Sequence, residues 1–73
     1  MKRFVVIVYQ GMFREFDLAQ EFADEAEARA FARSKRRSAI VIVPGTLDDW
    51  FAGQTEFPVA IYCYGAEYKS SAG

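Results

Sequence analysis

Asp48-Asp49 is the pair of side chains in this chain most suggestive of acid–base or metal chemistry, and its spacing argues against both. Adjacent residues on a helix project about 100° apart. The two carboxylates therefore do not converge as a shared-proton dyad or a two-metal site requires. Asp49 also stands three residues after Thr46, the spacing of a capping box, which gives it a structural task. Cys63 is the single cysteine of a chain without histidine, and it sits in an apolar run. No partner is in place to activate it, so the expectation is an inert buried thiol. Gly11, Gly45, Gly53 and Gly65 read as turn residues, and none builds the glycine patterns that cradle phosphates. Tyr9, Tyr62 and Tyr64 can cluster, but a phenol near its usual pKa of ~10 is a poor base without a cationic neighbour. No catalytic residue, metal ligand set or cofactor is expected, and the chain reads as noncatalytic.

Binding chemistry has better raw material. Arg33, Lys35, Arg36 and Arg37, with Arg29 one turn earlier, form a basic cluster suited to phosphates, and tyrosines on an open sheet can stack unpaired bases. The competing explanation is a solvated helix end that complements its dipole. That explanation is favoured, because the net charge is -1 and the strands lack the glycine, aromatic and basic mixture of common RNA-binding sheets. Single-stranded nucleic-acid binding is thus the second functional expectation, behind protein–protein interaction.

The element that must position these groups is an amphipathic helix over Asp24 to Arg37, DEAEARAFARSKRR. Asp24 can accept from the free amides of the first turn, and Glu27 stands at capping-box distance from it. Glu25 and Glu27 fill the first turn while the basic residues crowd the last, as the helix dipole favours. Ala28, Phe31, Ala32 and the stem of Lys35 recur at i, i+3, i+4, i+7. They make a narrow apolar stripe that can approach a sheet closely, with Phe31 as its expected centre.

Strands supply the rest. Phe4 to Tyr9 and Ser38 to Val43 are apolar on both faces and suit interior strands. Gln10-Gly11 is the expected turn into an edge strand over Met12 to Leu18, with Arg14 near the rim, Phe16 and Leu18 toward the helix, and Glu15 and Asp17 toward water. Ala19 to Ala23 would then lead into the helix, with Phe22 packing back on its first turns. Thr46 to Gly53 fits a short capped helix, with Trp50 or Phe51 closing one end of the core. After a loop through Glu56, Phe57 to Tyr64 reads as the last strand, and residues 66–73 as a frayed tail. The expected fold is one α+β domain over 1–73: a small four-stranded, mainly antiparallel sheet, ββαβ(α)β, with one main helix on one face. Its favoured strand order is 2-1-3-4, with 4-2-1-3 as the competitor.

That arrangement places the helix over Phe4, Val6, Val8, Phe16, Leu18, Val59 and Ile61 and leaves Val5, Ile7, Tyr9, Tyr62 and Tyr64 on the other face. A monomer seldom exposes so large an apolar patch. The Thr46–Gly53 segment folded beneath the sheet would cover part of it, but so short a segment is not expected to shield the whole face. A partner is the favoured cover, either a second copy in a homodimer or an unidentified protein target. The composition also suits a small phage or mobile-element protein that binds or inhibits a larger one. Neither the opening Met1-Lys2-Arg3 and FVVIVY run nor any later stretch reads as a signal peptide or membrane span, so a cytoplasmic location is expected.

Overall fold

The computed structural model describes residues 3–10, 15–37, 39–55 and 57–70. The expected Gln10-Gly11 turn, the positions of Met12, Phe13 and Arg14, Ser38, Glu56 and the tail end at 71–73 lie outside the described residues. Within them the protein is a small α+β domain with a five-stranded antiparallel sheet and one main helix packed against it. The strands are β1 (Phe4–Gln10), β2 (Glu15–Phe22), β3 (Ile40–Pro44), β4 (Ala60–Cys63) and β5 (Ala66–Ser70). The helices are α1 (Glu25–Ser34) and the short α2 (Leu47–Phe51).

The sheet runs β2-β1-β3-β4-β5, the favoured order with one strand added at its far edge. The two β-branched runs sit centrally, where a strand is covered on both faces. β5 occupies the stretch expected to fray. It is joined to β4 by the two-residue turn Tyr64-Gly65, both in the left-handed region, with φ 51° and 84°. Positive φ at both central positions is what a tight hairpin turn demands. β2 also differs from expectation, extending to Phe22 through residues read as a connector.

α1 starts as its sequence dictates. The Asp24 carboxylate accepts from the Ala26 amide, although Glu27 makes no return bond to the cap. It ends earlier than expected, with Lys35 as its C-terminal cap and Arg36 just beyond at φ 46°. Ala28 and Ala32 are fully buried against Val6, Val8, Ile40 and Ile42. Phe31 is only half-buried, packed at the margin against Phe22 with ring centroids 5.1 Å apart. The centre of this layer is Tyr62 instead, the largest fully buried side chain.

The second face is covered from within the chain. α2 is secured by the full capping box of Thr46 and Asp49, and the Glu21 carboxylate accepts from the Leu47 amide at 2.7 Å while pairing with Arg3. Leu47 and Trp50, with Tyr9, Ala19 and Ile61, pack over Val5, Ile7, Val41 and Val43, all four buried. Those four form a compact block on two adjacent strands. One tryptophan, one leucine and the neighbouring rims suffice to roof it, so the short segment does what its length argued against.

Candidate functional site

Two single-residue irregularities decide which side chains reach the surface. Between Val8 and Tyr9 the β1–β2 register shifts, so that Val8 faces Leu18 but Tyr9 faces Phe16. Asp17 is the extra residue of this bulge, and it turns Phe16 away from α1 toward α2. At the other side of the sheet, the chain bends at Val59 before β4 begins. Val59 packs with the α1-facing cluster as expected, but Ala60 and Tyr62 do so as well, and Ile61 goes to the α2 side.

The partner-binding candidates are consequently redistributed. Val5 and Ile7 lie on the anticipated face but are fully buried beneath α2. Tyr62 belongs to the opposite face and is core, so these three offer no surface. Tyr9 is half-buried beside the α2 layer, and its hydroxyl is held above its ordinary pKa by burial. Tyr64 remains exposed, in the β4–β5 turn rather than on a sheet face. Cys63 is free and half-buried.

What the surface does offer is a cluster of three rings. Phe16 meets Trp50 edge to face at 4.8 Å and Phe51 at 6.0 Å, while Trp50 and Phe51 lie 5.0 Å apart. Phe16 and Phe51 keep 43% and 63% of their surface exposed. Asp48 is exposed on the same short helix, and Glu15 and Asp17 flank Phe16 in β2. Trp50 closing the core was legible from its size. Strict alternation along β2 would point Phe16 toward α1, and the bulge brings it here.

Around the core, ionised groups hold elements together. The Arg29 guanidinium meets Glu25 at 2.9 Å, Glu67 at 2.7 Å and the Tyr62 hydroxyl at 3.3 Å. Tyr62 in turn donates to Glu67 at 3.2 Å, which ties α1 to β4 and β5. The bond to Glu25 and then that to Tyr62 hold the Arg29 pKa above its ordinary value. The Asp17 carboxyl accepts from Gln10 and pairs with Arg37 at 2.9 Å, and these contacts depress its pKa. The Leu47 amide and then Arg3 depress that of Glu21.

The basic cluster therefore splits. Arg29 and Arg37 are committed to carboxylates within the chain, and the Lys35 ammonium sits 4.8 Å from the centre of the Phe31 ring. Arg33 and Arg36 are exposed and form no ion pair among the described residues. No three of the described His, Cys, Asp or Glu residues group as metal ligands. No described helix is long and apolar enough to cross a membrane. No protein-family model matches the chain, and no curated protein or solved structure matches it either.

Proposed function

We propose that this chain is a noncatalytic protein–protein interaction module whose contact centre is the Phe16–Trp50–Phe51 cluster. The observation that carries this reading is the exposure of two phenylalanines already in edge-to-face contact with a tryptophan anchored in the core. Rings preset by their neighbours lose little freedom on binding, and a rigid aromatic centre with a polar rim is the usual energetic core of an interface. Asp48, exposed on α2 one helical turn before Phe51, sets a carboxylate at the margin of the cluster. The fitting partner is a protein surface with an apolar recess. Support for the absence of catalysis comes from the carboxylates with partners in the chain: that of Asp49 serves a cap, and Asp17 and Glu21 have their pKa values lowered by their donors, the wrong direction for a general acid near neutral pH.

The face that first suggested a homodimer is roofed by α2, which leaves the ring cluster as the surface on which a second copy is tested. Affinity capture with the wild type and with Phe16→Ala/Phe51→Ala, both checked for folding by circular dichroism, tests the proposal. The expected result is a captured protein retained by the wild type and lost by the double variant. Identical captured sets would overturn it. Sedimentation equilibrium on the same samples reports whether the partner is a second copy, as a mass near twice 8.3 kDa that falls to one chain in the double variant.

A further inference from the structure

The end of α1 and the β4–β5 turn carry a second feature, on the opposite side of the sheet from α2. Two non-glycine residues there hold left-handed backbone, Arg36 at φ 46° and Tyr64 at φ 51°. Both positions are ones that glycine or asparagine fills without strain: the residue just past a helix end, and the first central residue of a tight hairpin. They are also neighbours. The Tyr64 amide donates to the Arg37 carbonyl at 2.7 Å. A Cβ built on Gly65 would meet the Arg33 carbonyl oxygen at 3.2 Å and the Arg36 side chain at 3.5 Å. Gly65 is thus required both for its φ of 84° and for the close seating of the turn on the helix end. That seating brings the turn that carries Tyr64, 62% exposed, to the helix end that carries Arg33 and Arg36, two exposed guanidinium groups that form no ion pair among the described residues.

We infer that Tyr64, Arg33 and Arg36 form a binding site for single-stranded nucleic acid, with the tyrosine ring stacking an unpaired base and the two arginines meeting successive phosphates. Left-handed backbone at exposed residues other than glycine is a reason to ask what those side chains can touch. The side chains here are one flat ring and two exposed cations. That combination matches the two repeating features of a single strand, base face and phosphate. An acidic peptide would satisfy the cations but leave the ring without a stacking partner. The site is independent of the Phe16–Trp50–Phe51 cluster and stands or falls separately from it.

Fluorescence anisotropy with a labelled mixed-sequence single strand of about 12 nucleotides gives the test. At ~50 mM salt the wild type should bind, and with two phosphates engaged its affinity should fall about sevenfold by ~200 mM. Tyr64→Asn should weaken binding by about fivefold or more through the lost stacking while keeping the salt dependence. Arg36→Gly should weaken binding and flatten the salt slope by about half. Both substitutions should also raise the melting temperature, since each relieves left-handed backbone. Higher stability combined with lost binding separates a site from a damaged fold. Absence of wild-type binding at ~50 mM salt, unchanged affinity in both variants, or equal binding of a poly-glutamate peptide would overturn the assignment.

Discussion

Tyr62 shows how much one side chain can hold. Its ring is buried among α1, β1 and β3 contacts, while its hydroxyl joins Arg29 and Glu67. Truncation to alanine should cost about 3–5 kcal/mol, as removal of a buried aromatic does, which threatens folding in so small a domain. Tyr62→Phe keeps the volume and loses only the hydroxyl bonds, for about 1 kcal/mol. Urea unfolding of the two variants should show that separation. Phe31→Ala should fall below the full core penalty, near 1–2 kcal/mol, because the ring is half-buried at the margin of the layer. From the sequence alone Phe31 looked central and Tyr62 peripheral. Spacing along a helix identifies its apolar stripe but says nothing about which strand residue will face that stripe.

At the scale of elements, the latch on α2 depends on pH. Glu21 has its folded pKa depressed by the Leu47 amide and Arg3, so it stabilises the fold above its unfolded pKa. That contribution is lost as pH falls through the lower, folded value. Asp17, held by Gln10 and Arg37, acts in the same direction. Stability followed by Trp50 fluorescence should therefore drop as pH falls through and below the ordinary carboxylate range of ~4, and Glu21→Gln should flatten the drop, since its amide oxygen still accepts from Leu47 without titrating. Thr46→Ala should cost about 1 kcal/mol by removing the other anchor of the same helix. Both helices, the central strands and the Thr46–Asp49 cap were legible because each rests on a local signal: alternation, periodicity or capping distance. The bulge at Asp17 and the bend at Val59 were not. Each moves a side chain to the other face at a single residue, and no composition signal marks them. β5 was missed for a related reason, since Tyr64 stands where a hairpin signal expects asparagine or aspartate.

For the molecule as a whole, α2 separates two surfaces of different character. Val5, Ile7, Val41 and Val43 remain an apolar block, hidden by one tryptophan and one leucine. Trp50→Ala should uncover part of it without touching the α1 layer. The expected outcome is increased binding of a hydrophobic dye and concentration-dependent self-association by sedimentation, from a chain whose sheet still gives a strand-rich circular dichroism spectrum. An unchanged, monomeric variant would show that the neighbouring Leu47, Tyr9 and Ile61 suffice as the roof. The surface cluster would be lost in the same variant, because Trp50 is both the lid of the inner block and the base on which Phe16 and Phe51 rest.

The clasp formed by Arg29, Tyr62 and Glu67 also ranks the amides of the sheet by how long they survive in heavy water. Among the described strands β5 borders only β4, and Glu67 ties it to α1. If that tie lets go, the hairpin arm can open while β1 and β3, hydrogen-bonded on both sides, stay closed. Exchange in β5 should then report a partial opening of lower free energy than the global one, whereas the amides of Ile7 and Ile42 should exchange only when the whole chain unfolds. Glu67→Gln should quicken the first class and leave the spacing between the two wider, a hierarchy of lifetimes set by one carboxylate at the margin of the sheet.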